Sequence, residues 1–107
     1  MKELSVSLLY DFYAPMLSDR AAEIVNLYYN QDMSLSEIAA VYMITKQGVK
    51  DYIDKSVKTF YELEDKLRLF ERYRATVDKL NECAARLKAG EQGLAVAAEI
   101  DKFLKEL

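Results

Sequence analysis

The residues of this chain best suited to chemistry stand close together: Thr45, Lys46, Gln47, Lys50, Lys55 and Lys58. Their types suit recognition rather than bond making. A glutamine amide pairs with an adenine edge through two hydrogen bonds, and a lysine ammonium donates to guanine or to phosphate. A threonine hydroxyl adds a phosphate contact. Asp51 and Asp54 fall on or near the same surface, and a carboxylate facing a phosphate is repelled. The expected surface is therefore mixed rather than basic.

Catalytic chemistry finds little to work with. The chain has no histidine, which excludes an imidazole base, a histidine-based triad and a histidine-ligated zinc. Its one cysteine, Cys83, has no CxxC partner and reads as a small buried residue. The three glycines, at 48, 90 and 93, form no phosphate-binding loop. Carboxylate pairs such as Glu62/Asp65 alternate with lysines at helix-surface spacing and read as a solvated face. The expectation is a non-enzyme without cofactor or metal.

The elements that must position these side chains are helices. Few glycines and one proline, in a chain rich in Ala, Leu, Glu and Lys, predict an all-α protein. Residues 3–14 predict a first helix with Leu4, Leu8, Leu9 and Phe12 on one face, ended by Pro15. Its aromatics Tyr10, Phe12 and Tyr13 read as core or interface rather than as a base-stacking platform. Ser18-Asp19 caps a second helix to about Asn30, with Ala21, Ile24, Leu27 and Tyr28 inward. Ser34 followed by Glu37 is a capping box that starts a third. A tight turn at Met43-Ile44 and a second cap at Thr45 lead into a fourth, with Val49, Tyr52 and Ile53 toward the core. Two capped helices across a short turn make a helix-turn-helix, whose second helix places its N-terminal residues at base edges. Gly48, in its first turn, reads either as permitting close approach of another backbone or, the preferred reading, as a small residue under a crossing helix.

From Val49 to Ala89 there is neither Gly nor Pro, and apolar residues recur every three or four positions through Leu87. Acid-then-base pairs at i,i+4, such as Asp51/Lys55 and Glu82/Arg86, support the helix by about 0.2–0.5 kcal/mol each. One helix of that length would be on the order of 60 Å long. The pattern thus predicts either a projecting dimerising helix or a break near Leu67–Phe70. Gly90 and Gly93 end the segment, and Leu94–Leu107 predicts a last amphipathic helix facing inward through Leu94, Ala97, Ala98, Ile100, Leu104 and Leu107. The domain expectation is a helix-turn-helix region over residues 1–66 and a helical dimerisation or packing region over 67–107, in one compact domain.

The net charge of −3 argues against a tight non-specific grip on phosphate. It is unevenly spread: residues 1–44 carry −4, residues 45–90 carry +3 and residues 91–107 carry −2. The one net-positive stretch begins at the proposed recognition helix. No apolar run approaches the ~20 residues of a membrane span. No signal peptide is expected, and a lone cysteine fits a reducing cytoplasm.

Three stretches carry a family resemblance: LLYDFYAPMLSDR, LYYNQDMSLSEIAAVYMITKQGVKDYI and LEDKLRLFERY. Together they make residues 4 to 80 similar to the YlxM-like family of small bacterial helix-turn-helix proteins, whose pattern is related to region 4 of sigma factors. Members usually carry Ser-Arg-Gln-Ala-Val where this chain has Thr45-Lys46-Gln47-Gly48-Val49. Lysine at 46 keeps the charge and loses the bidentate fork of arginine. The resemblance implies a regulatory or accessory role in the signal recognition particle pathway. The partners it implies are DNA, the particle's small RNA, or its GTPase protein. A homodimer held by residues 60–107 is the expected assembly, and two-fold symmetry would set half-sites about one helical turn, ~34 Å, apart. The competing expectation is a protein-interaction module in which the helix-turn-helix is only a scaffold.

Overall fold

The computed structural model describes residues 4–107, with Leu4 described by its backbone alone. Glu3, where the predicted first helix begins, and the side chain of Leu4 lie outside what is described. The described residues form six α-helices and no strand: α1 (Leu4–Tyr13), α2 (Asp19–Val25), α3 (Leu35–Tyr42), α4 (Lys46–Leu67), α5 (Leu69–Lys88) and α6 (Gly93–Glu106). A 3₁₀ turn at Ala14–Met16 carries Pro15 after α1, and a π turn extends α2 through Asn26–Asn30. The chain divides into two compact units, one ending at Phe70 and one spanning Glu71–Leu107.

Local chemistry sets the ends of the helices in the first unit. The Ser18 hydroxyl accepts from the Ala21 N–H at the start of α2. At α3 both halves of the capping box form: Ser34 Oγ accepts from the Glu37 N–H, and a Glu37 carboxylate oxygen accepts from the Ser34 N–H. The α3–α4 turn is made by Met43 in the left-handed region, at φ 55° and ψ 43°, with the Ile44 N–H returning to the Ala39 carbonyl at 3.1 Å. Ile44 then packs on the core below. A left-handed conformation costs an L-residue with a Cβ roughly 1–2 kcal/mol, and the Met43 side chain, 92% exposed, returns little packing. Met43→Gly is therefore expected to stabilise the chain by about 1 kcal/mol, read as a rise of a few degrees in Tm. An unchanged or lower Tm would count against strain at this turn.

Two apolar clusters fill this unit. Val6, Leu9, Tyr13, Val25 and Phe60 form one, which brings α1 and α2 against the middle of α4. Ile24, Ile38, Ala39, Val49 and Ile53 form the other and set α3 against the start of α4. The inward face of α1 matches the expected one at Leu9, with Phe12 half-buried beside the cluster, and differs elsewhere. Val6, Leu9 and Tyr13 are its buried line, and Leu8 is exposed. The reason is that α4 meets α1 along the 6-9-13 edge, where the Tyr13 ring and hydroxyl both find partners. Tyr42, at the end of α3, carries the Arg20 guanidinium 5.1 Å above its ring. Its hydroxyl feels the Glu23 carboxylate without reaching hydrogen-bond geometry, and burial first and that carboxylate second push its pKa up to about 12.

The long apolar repeat breaks at Arg68, which is left-handed at φ 53° and closes α4 with its N–H on the Glu64 carbonyl. The first two N–H groups of α5 are then met by side chains. The Leu69 N–H donates to Tyr13 Oη at 3.2 Å, and the Phe70 N–H donates to Glu64 Oε1 at 3.0 Å. Tyr13 in turn donates to the same Glu64 oxygen at 2.5 Å. Phe70 packs edge-on against Phe12, with centroids 5.9 Å apart.

In the second unit α5 and α6 form a helical hairpin. Gly90 turns it at φ 92°, and the Glu91 N–H reaches back to the Arg86 carbonyl, the bond that closes a helix C-terminus through a left-handed glycine. Gly93 begins α6 rather than ending the preceding segment. Cys83 is buried, as expected, and Val96 is the other buried apolar residue of the unit. That is a correction to α6: Val96 is its buried residue, and of those expected inside, Leu94, Ala97, Ala98, Leu104 and Leu107 are exposed, Leu94 at 86%. An ionic cluster closes one side of the hairpin. Glu99 accepts from Arg86 at 2.7 Å and from Lys79 at 3.2 Å, and Arg86 also meets Glu91 at 2.8 Å. The two cations, Arg86 first, hold the Glu99 pKa below its ordinary 4.5. A carboxyl whose folded pKa is depressed stabilises the fold above its unfolded pKa and stops doing so as pH falls through the folded value. Acid titration should therefore loosen the hairpin below about pH 4.5, and Glu99→Gln should remove that step from the curve. A titration identical in the two proteins would refute the clamp.

Candidate nucleic-acid interface

The Thr45 hydroxyl accepts from the Gly48 N–H at 2.9 Å and so starts α4. A Cβ placed on Gly48 would meet Thr45 Oγ1 at 3.2 Å and the Ile44 side chain at 3.7 Å. The crowding comes from the chain's own turn and not from a crossing helix, which corrects the sequence reading of Gly48. Glycine here leaves the capping hydroxyl room.

With Val49, Ile53, Ser56 and Phe60 buried, the opposite side of α4 is its outward surface. Lys46, Gln47, Lys50, Asp51, Asp54, Lys55 and Lys58 are all exposed on it. Helical geometry divides them. Gln47, Asp51, Asp54 and Lys58 run along the crest, and Lys50 and Lys55 stand about 140° apart on its two flanks. A helix in a groove would thus present one lysine to each wall and the crest to the floor.

The crest is paired along its own length and with the Lys50 flank. Gln47 Nε2 donates to Asp51 Oδ1 at 3.0 Å, and Lys50 Nζ donates to Asp54 Oδ2 at 2.7 Å. Lys58 lies 3.9 Å from Glu62. The hydrogen bond that Lys50 donates to Asp54 holds the Lys50 pKa above the ordinary lysine value. Two of the six residues are differently placed: Lys46 and Lys55 form no side-chain ion pair or hydrogen bond among the described residues. The acids at 51 and 54 thus occupy the amide and ammonium that would otherwise greet a base or a phosphate.

The Lys55 flank is not flat. Gly48, Asp51, Tyr52 and Lys55 line one hollow, of about 350 Å³. Leu17, Ala21, Tyr52, Lys55, Ser56 and Thr59 line a second, of about 220 Å³, between the start of α2 and α4. Tyr52, expected in the core, is half-buried and shared by both hollows. Spacing missed it because an aromatic at the edge of a buried stripe counts as apolar although its hydroxyl end is free to stay wet.

Comparison with known proteins agrees with this architecture. A family model described as "Putative helix-turn-helix protein, YlxM / p13 like" matches residues 1–101. A UPF0122 protein of Thermoanaerobacter sp. (strain X514) is 38% identical over 78 residues, which cover 73% of this chain and 67% of that protein. One of Lactococcus lactis subsp. cremoris (strain MG1363) is 33% identical over 98 residues, 92% of this chain and 88% of its own. One of Bacillus velezensis is 32% identical over 105 residues, 95% of this chain and 96% of its own. No helix among the described residues is long and apolar enough to cross a membrane. The all-α fold, the capped α3–α4 pair and these matches together place the chain in the UPF0122 family of YlxM- and p13-like helix-turn-helix proteins.

Proposed function

We propose that the chain is a non-catalytic regulatory protein that binds nucleic acid through α4, with Thr45, Lys46, Gln47, Lys50, Lys55 and Lys58 as the contacting residues. The observation that carries this reading is the exposed outward surface of α4, with a lysine on each flank of a crest that begins at a capped N-terminus. Lys46 and Lys50 meet the first wall, Lys55 the second, and Gln47 reaches the base edges. Lys58 and the Thr45 hydroxyl contact backbone phosphate. The family resemblance supports a place in the signal recognition particle pathway, with DNA or the particle's RNA as the bound nucleic acid; the long apolar repeat supports a homodimer held through residues 60–107 as the working form, and the lone cysteine fits the cytoplasm as its compartment.

A second reading is favoured by the Gln47–Asp51 and Lys50–Asp54 pairs, which blunt the crest toward phosphate. In it the crest and the neighbouring hollows meet a protein, and the GTPase of the particle is the partner that the resemblance implies. A salt series separates the two. Binding to duplex DNA and to the particle RNA is measured for the wild type and for Lys46→Ala/Lys50→Ala. Phosphate contact predicts log affinity falling with log salt at about −0.9 per neutralised phosphate on duplex DNA, and a slope shallower by about two in the double variant. Absence of binding at low salt, or binding indifferent to the double variant, sinks the nucleic-acid reading.

A further inference from the structure

The apolar repeat of α5 that is legible in the sequence is not the line that the hairpin buries. Toward α6 the helix turns Cys83, with the stems of Lys79 and Arg86 beside it. The heptad-like line Tyr73, Val77, Leu80, Ala84, Leu87 lies next to this one, displaced around the helix. Leu80 is 55% and Leu87 48% exposed, and Tyr73 is 58% exposed. On α6 the same happens: Val96 is buried, and Leu104, with Leu107 just beyond the helix end, is 57% and 67% exposed. The hairpin thus has one edge closed by the Arg86–Glu99–Lys79 cluster and an opposite edge of leucines.

We infer that this leucine edge is the contact surface for a second copy of the chain, closing two hairpins into a four-helix bundle. This deepens the homodimer named in the proposed function and rests on it, but not on nucleic-acid binding. Three observations select a second copy as the occupant. Glu71–Leu107 falls below the roughly 40 residues at which a unit normally needs help from oligomerisation, metal or disulfide, and Cys83 and Val96 are its buried apolar residues. The exposed leucines leave on the order of 400 Å² of apolar surface, as large as the largest patch of an ordinary monomer. Covered on both copies together with its rim, such a patch reaches the roughly 1,000 Å² of a specific interface. Finally, the line is nearly symmetric about its own midpoint: from Leu80 its positions step to 77 and 73 one way and to 84 and 87 the other. A two-fold interface requires a surface that is complementary to itself, and a line with this symmetry meets its antiparallel copy with Leu80 on the axis and 73 opposite 87.

The axis gives a sharp test on the full-length chain. Leu80→Cys and, on the opposite side of α5, Asp78→Cys are made in a Cys83→Ser background and oxidised with diamide. Leu80→Cys is expected to yield a covalent dimer in most molecules and Asp78→Cys almost none. Sedimentation at micromolar concentration should show a dimer for the wild type and a monomer of unchanged helix content for Leu80→Glu/Leu87→Glu. A monomeric wild type overturns the proposal, as does crosslinking that is equal at 78 and 80, or a glutamate double variant that remains dimeric. None of these readouts depends on nucleic acid, so the dimer edge and the recognition helix can fail separately.

Discussion

Tyr13→Ala is expected to lower the stability of the first unit by about 3–5 kcal/mol, the range for truncating a large buried aromatic. Against total stabilities of roughly 5–15 kcal/mol, that suffices to populate the unfolded state near physiological temperature. Two separable contributions underlie it. The ring is wholly buried among Val6, Leu9, Val25 and Phe60. The hydroxyl is one of two side-chain groups that satisfy the start of α5, since it accepts from the Leu69 N–H and donates to the Glu64 carboxylate. Tyr13→Phe keeps the first contribution and removes the second, and should cost about 1–3 kcal/mol, the range for orphaning a buried polar group. The same burial, and then the Glu64 hydrogen bond, raise the Tyr13 pKa, so the hydroxyl keeps its proton and stays a donor. Hydrogen exchange distinguishes a local from a general effect. In Tyr13→Phe the amides of Leu69 and Phe70 should lose protection more than those of Ile38 and Ile53. Uniform loss across α3, α4 and α5 would show that the hydroxyl supports packing in general rather than this corner.

That corner also shows where sequence reasoning stops. The caps at Ser18, Ser34 and Thr45 were legible because each is a local event: an oxygen three residues before the N–H it meets. The lysines of α4 were legible as exposed for the same reason, since the buried spacing of Val49 and Ile53 leaves them outside. The break at Arg68 falls where the length of the repeat suggested one, near Leu67–Phe70, but no local cap marks it. No glycine or proline marks it, and the groups that make it worthwhile, Tyr13 and Leu69, are 56 residues apart. The repeat running through it is apolar on both sides because it serves two surfaces, the core of the first unit up to Phe60 and Leu63 and the exposed edge of α5 beyond. Periodicity reports that a line of residues will be covered; it does not say by what. The same ambiguity displaced the inward faces of α1 and α6 by one position or two, because each helix carries apolar residues over more than the arc its neighbour covers. At the site, the sequence identified the conflict between lysines and aspartates but not its form. The i,i+4 geometry turns a general mixture of charge into two defined hydrogen bonds, Gln47 to Asp51 and Lys50 to Asp54.

Those two bonds lead to the largest functional effect we expect. Asp51→Asn/Asp54→Asn should strengthen binding to duplex DNA at low salt on the order of tenfold or more, since freeing a lysine and removing two opposed charges alters several phosphate contacts at once. Asparagine is close to aspartate in shape, so the helix surface is unchanged except in charge. Each i,i+4 pair that the substitutions weaken supports the helix by only about 0.2–0.5 kcal/mol, so the fold is retained. The freed Lys50 should also steepen the salt dependence by about one unit of slope, the mirror image of deleting a phosphate-binding lysine. Adding Lys50→Ala to the double variant should return that unit and leave the rest of the gain, because the remainder comes from repulsion removed and not from a cation supplied. Affinity that is unchanged by the two asparagines would mean that the crest of α4 does not enter a groove, and the surface would then be read as a protein-binding one. If instead the gain appears together with loss of discrimination between duplex sequences, the aspartates hold back non-specific binding. A mildly acidic chain with a paired recognition helix would then be built to bind only where base-edge contacts compensate for the carboxylates it carries into the groove.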